Sequence, residues 1–170
     1  MGEGSGWIMN LITSIHLNIA KYRPIRGSSY IASPSKIELK KCVINKKNEE
    51  DNNCFIYAML TAKYKEKNHK HLPQTWKKYM NEFNLKNIEM PMAINNLDKF
   101  EKQNPDYIVK VYGCDENGEN IYQRRIIKRR DREPTNLLLL QNEETYHYVL
   151  ITEFDRLLGS GNEMQKKFCP

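Results

Sequence analysis

Apolar residues recur at helical spacing in the first two thirds of the chain and alternate with polar ones in the last third. Phe55, Ala58, Met59 and Ala62 fall at i, i+3, i+4 and i+7, the stripe of a helix set against a core. Trp76, Tyr79, Met80 and Phe83 repeat that spacing and predict a second helix over residues 74–83. Ile94, Leu97 and Phe100 predict a third, shorter one between Met90-Pro91 and Asn104-Pro105. From Asp106 the period drops to two. Residues 107–112 and 121–128 read as strands joined by a turn over residues 113–118, in which Asn117-Gly118 is a strong hairpin signal. Leu137, Leu138, Leu139 and Leu140 form a strand apolar on both faces, and residues 146–151 form the last strand. Helices followed by an antiparallel meander define an α+β domain spanning residues 1–170.

The ends are less regular. Residues 1–35 read as an N-terminal arm. Its apolar positions between Trp7 and Ile19 fit a helix or a strand equally, and Pro24, Gly27 and Pro34 punctuate a loop-like stretch over residues 22–34. Residues 37–44 alternate and predict a strand or extended segment, and residues 159–170 read as a mobile tail.

Composition narrows the class. The chain has 170 residues, 39% hydrophobic and 28% charged, with a net charge of +6. This is enough for one ordinary domain with its own core. No apolar run approaches the roughly 20 residues of a membrane span, and the start has no secretory-signal pattern. The four cysteines, Cys42, Cys54, Cys114 and Cys169, are irregularly spaced with no CxxC pair. That spacing argues against a disulfide framework or a zinc site and suits a reducing compartment, cytoplasm or nucleus. His69 and His71 are flanked by lysines with no third ligand near in sequence, so they read as a solvated loop and no metal or cofactor is expected.

Cys54 is the residue with candidate chemistry. It stands at the first turn of the first core helix, behind the possible N-caps Asp51, Asn52 and Asn53. The helix dipole there favours a thiolate, the nucleophilic form; the competing reading is a small buried residue. Asn48 can donate from its side-chain amide to a developing oxyanion, and ionised Asp51 cannot. His147, near the start of the last strand, is the candidate base for a Cys/His pair. A third group to orient the imidazole is not evident. Thr145 lies on the same face and Gln141 diagonally opposite, whereas Glu153 and Asp155 would be about 20 Å away along a straight strand. The basic run over residues 124–132 reads as a guarded strand edge or, less well, as a nucleic-acid contact.

Several of these stretches together resemble a known family. They are Asn48-x-x-Asp51-x-x-Cys54-Phe55, Leu139-Leu140, His147-Tyr148-x-x-Ile151 and Arg156-Leu157-Leu158, with Gly4-Ser5-Gly6-Trp7 and Arg26-Gly27-Ser28-Ser29-Tyr30-Ile31. They are similar to a domain found beside protein-primed DNA polymerases in Maverick/Polinton-type transposons. That domain resembles the papain-like cysteine peptidases and, within them, deubiquitinases related to the herpesviral tegument enzymes. The resemblance implies a papain-like fold with Cys54 as nucleophile, His147 as base and Asn48 in the place of the oxyanion-hole glutamine. Asp51-Asn52-Asn53-Cys54-Phe55 is also similar to the ovarian-tumour deubiquitinases. Thr145 stands where the tegument enzymes keep an aspartate. The implied activity is a monomeric cysteine isopeptidase acting on ubiquitin or polyubiquitin, with no membrane and no nucleic-acid partner. The alternatives are a peptidase processing a transposon or viral polyprotein, and a non-catalytic module binding DNA or the polymerase through residues 124–132.

Overall fold

Four consecutive leucines set the centre of the molecule. A strand apolar on both faces is stable only where both faces are covered. Leu137 to Leu140 accordingly lie, all buried, in the middle strand of a five-stranded sheet. The computed structural model describes residues 30–64, 74–143 and 145–159. Its strands are β1 (Val43–Ile44), β2 (Val109–Cys114), β3 (Ile121–Arg125), β4 (Thr135–Gln141) and β5 (Tyr146–Ile151). Its helices are α1 (Ser35–Leu39), α2 (Cys54–Lys63), α3 (Gln74–Lys77), α4 (Leu97–Gln103) and α5 (Phe154–Leu158). The fold is α+β, with sheet order β1-β5-β4-β2-β3.

The sheet departs from the expected meander at one place. β4 runs antiparallel to β5 but parallel to β2. The hairpin signal at Asn117-Gly118 pairs β2 with β3, as expected. The segment after β3 then carries the chain back across the sheet, and Thr135 N–H meets the Ile108 carbonyl at 2.7 Å. Gly118 has φ +70°, and a Cβ there would sit 2.8 Å from the Ile37 side chain and 2.9 Å from that of Pro34. The turn thus needs glycine for both its conformation and its contact with α1.

Side-chain alternation divides the core in two. Leu137, Leu139, Tyr148 and Leu150 share a cluster with α2, Trp76, Leu97 and Phe100. Leu138, Leu140, Val149 and Ile151 share the opposite one with Ile37 and Leu157. The α2 helix is not the one-sided stripe its spacing suggested: every residue from Cys54 to Thr61 is buried. Full burial of side chains such as Phe55, Met59 and Leu60 contributes roughly 1.5–3 kcal/mol each.

Four expected elements differ. Residues 37–44 do not form one strand, because α1 occupies their first half. Ile37 is buried in α1 while Leu39 is 81% exposed, so the alternation did not record one buried face. The second helix divides into α3 and a 3-10 turn at Met80–Glu82, and the third opens with a 3-10 turn at Ile94–Asn96. β3 stops at Arg125, where the run of residues 124–132 turns to local ion pairs: Arg125 with Asp98 and Glu101, Lys128 with Asp98, Arg129 with Asp131, Arg132 with Asp106. Residues 1–29, His69, His71 and the tail beyond Gly159 lie outside the described residues. Among the described residues no helix is long and apolar enough to cross a membrane.

Candidate functional site

Strand β1 is only two residues long, and its brevity builds the site. Its partners on β5 are Ile151 and Leu150. Toward the start of β5, no β1 residue remains to pair with Tyr148. The Tyr148 amide instead donates to Cys54 Sγ at 3.5 Å. The thiol of the first residue of α2 therefore sits where a neighbouring strand would have been. By standard backbone dimensions the His147 Cα, two bonds from that amide nitrogen, lies at most about 6 Å from the sulfur.

His147 itself is fully buried. It shares the strand parity of Val149 and Ile151, and its ring meets the edge of Tyr30 at a centroid distance of 5.9 Å. Neither Nδ1 nor Nε2 has a hydrogen-bond partner. Burial pushes the imidazole down to about 4; the Lys46 backbone nearby acts the other way without forming a well-directed bond. The ring is thus neutral at neutral pH, carries a lone pair on one nitrogen, and is not hydrogen-bonded to Cys54.

The loop before α2 is organised by Asp51. Its Oδ1 accepts from the Asn53 amide at 2.8 Å and from Asn48 Nδ2 at 2.9 Å, and its Oδ2 accepts from the Tyr57 hydroxyl at 2.7 Å. Burial pushes the Asp51 carboxyl up, but the bonds from Tyr57, Asn53 and Asn48 outweigh it, and it sits below its ordinary value. Asn53 takes the N-cap position without a side-chain cap bond. Asn48 is buried, and its amide nitrogen donates to both the Asp51 carbonyl and the Asp51 carboxylate, each at 2.9 Å. It serves here as an anchor of the loop before α2 rather than a donor held at the sulfur.

The candidates for a third group are engaged elsewhere. The Thr145 amide and hydroxyl both reach Asn142 Oδ1, at 2.7 and 3.3 Å. Gln141 Oε1 accepts from Arg124 at 3.1 Å, and Glu153 pairs with Arg156. Asp155 is exposed on α5. Among the described residues, none of the four orients the imidazole.

Lys46 carried no signal in the sequence, and Tyr148 entered only within the His147-Tyr148-x-x-Ile151 stretch. Lys46 is 2% exposed; its Nζ has no hydrogen-bond partner, lies 4.8 Å from the centre of the Trp76 ring, and is pushed down to about 7 by burial. Tyr148, apart from its amide on the sulfur, buries a hydroxyl that reaches no partner. Only folding brings Tyr148 to the start of α2 and Lys46 to Trp76. Among the described residues no three His, Cys, Asp or Glu side chains gather as a metal site.

Comparison of the chain with models of known families, with curated proteins and with solved structures gave no match.

Proposed function

We propose that the protein is a papain-like cysteine isopeptidase that cleaves ubiquitin or ubiquitin chains, with Cys54 as nucleophile and His147 as base. One observation carries the reading. The sulfur at the positive end of α2 rests on the amide that follows His147, and that histidine is buried with both ring nitrogens unpartnered. A buried imidazole with no hydrogen bond is costly unless it has work elsewhere. The reading requires the ring to turn about its χ1 from Tyr30 toward the thiol.

The chemistry then runs in two halves. His147 takes the Cys54 thiol proton, and the thiolate attacks the carbonyl carbon of the modifier's terminal glycine. Backbone N–H groups at the start of α2 receive the oxyanion. The imidazolium returns its proton to the departing lysine amine as the C–N bond breaks. Water, deprotonated by the same imidazole, releases the acyl group from sulfur and restores the thiol.

Ubiquitin carrying a C-terminal electrophile tests this reading. The protein should form a one-to-one thioether adduct that is absent in Cys54→Ala and slowed by about 10²–10⁴ in His147→Ala. Absence of any adduct with the unaltered protein overturns the ubiquitin assignment. Cleavage of unmodified peptides by the same thiol would then favour a polyprotein-processing peptidase.

A further inference from the structure

The Tyr148 ring that backs the Cys54 contact also lines a cleft of about 600 Å³ on the α2 side of the sheet. Met90, Asn96, Arg124, Gln141 and Tyr146 form much of the rest of its wall. We infer that this cleft receives a single acidic side chain of a peptide substrate, recognised by the Arg124 guanidinium and the Tyr148 hydroxyl. The inference rests on the cysteine-hydrolase reading for the word substrate; the binding itself does not.

Among the described residues, neither recognising group meets a carboxylate. Tyr148 is 1% exposed and its hydroxyl has no hydrogen-bond partner. A buried donor of that kind calls for an acceptor. Arg124 is exposed on β3 and touches only neutral groups, the Gln141 amide oxygen at 3.1 Å and the Tyr122 ring at 6.0 Å. Its neighbour Arg125, by contrast, holds two carboxylates at 2.5 and 2.7 Å. Both residues line the same cleft.

The occupant's chemistry follows from the walls. A guanidinium and a phenol together suit a carboxylate, which accepts charge-assisted bonds from both. Glu89 also lines the cleft and forms no ion pair with Arg124. A carboxylate there opposes a polyanion such as a nucleic-acid backbone, leaving one acidic group as the fit. The volume holds a side chain with its flanking backbone. The apolar surfaces of Met90, Tyr146 and Tyr148 suit a peptide rather than a free ion.

The test is binding to Cys54→Ala protein, which cannot turn over. The probe is a fluorescein-labelled alanine-rich peptide with one central Glu, compared by anisotropy with its Gln and Lys counterparts. The Glu peptide should bind at least about tenfold more tightly than the Gln peptide, as expected for a hydrogen bond to a charged group. Arg124→Gln should erase that preference, Arg124→Glu should transfer it to the Lys peptide, and Tyr148→Phe should weaken the Glu peptide several-fold. Equal binding of Glu and Gln peptides, no binding of any peptide, or a Glu preference that survives Arg124→Gln each overturns the inference. Ubiquitin-probe capture without a Glu preference would leave the hydrolase reading standing and remove this one; a Glu preference without capture would do the reverse.

Discussion

Two buried polar clusters lie at different strands of one sheet, and they are built in opposite ways. Between β3 and α4, Arg125 and Glu101 are 8% and 6% exposed, and their charged atoms are matched. Arg125 Nη1 reaches Glu101 at 2.7 Å and the Val109 carbonyl at 2.6 Å, and Nη2 reaches Asp98 at 2.5 Å. Glu101 also accepts the Val109 amide at 2.8 Å. Around the start of β5, His147 on one face of the sheet, the Tyr148 hydroxyl on the other and Lys46 beside Trp76 are buried with polar atoms left unmatched. The first cluster is what a fold needs to bury charge at tolerable cost. The second holds groups whose desolvation the resting structure does not repay, the pattern on which the proposed cysteine chemistry rests.

The largest effect should come from breaking the matched cluster. Glu101→Ala leaves buried Arg125 with Asp98 as its one remaining carboxylate and removes the acceptor of the Val109 amide. A loss of about 3–5 kcal/mol in denaturant-unfolding stability is expected. A loss below about 1 kcal/mol would show that the pair is not buried as described.

Acid should act on the unmatched cluster. The His147 pKa is near 4 in the folded chain and about 6.5 when unfolded. The unfolded state therefore binds the extra proton first as pH falls. The stability this group contributes is complete above about 6.5 and is lost as pH falls toward 4, by about 3 kcal/mol in all. In His147→Gln that component of the pH dependence should vanish. Urea titrations across this range decide it, and parallel curves for the two proteins would contradict the burial.

A pH dependence of the same sign, at higher pH, is expected at Lys46. Its amine is near 7 in the fold against about 10.4 unfolded, so at neutral pH the fold disfavours its charge. Wild-type stability should rise with pH from about 7 to 10.4, and Lys46→Met should lack that rise. At pH 7 the variant should be more stable by on the order of 1 kcal/mol, since the contact with Trp76 offsets only part of the desolvation. A destabilised Lys46→Met would mean the ammonium has a partner that matches it.

The two clusters also differ in how much the sequence revealed. The strands of the sheet were readable because alternation and the leucine run are local. So was α2, because its apolar spacing is local and Asp51 and Asn53 precede it. The parallel pairing of β4 with β2 was not, since a local pattern says that a strand exists but not which neighbour it takes. The basic run at residues 124–132 looked like a solvated edge. Arg125 reaches Glu101 and Asp98 across 24 and 27 residues, a distance no motif spans. At the candidate site, Cys54 and His147 stood out by residue type and position. Asn48 stood out too, but its bonds to Asp51 depend on a loop conformation that composition does not encode. Lys46 reads as one more surface lysine until β1 ends and turns it inward. The helix α5 was missed because five residues carry too little periodicity, with only Leu157 buried in it.

The central claim is that the Cys54 sulfur and the His147 imidazole act as a pair. It is tested most directly by the rate of Cys54 alkylation by iodoacetamide, followed at that residue by peptide mass spectrometry. The account predicts that at pH 7 the unaltered protein reacts at least several-fold faster than His147→Gln, because the neutral imidazole takes the thiol proton as the sulfur attacks. Equal rates in the two proteins would contradict it.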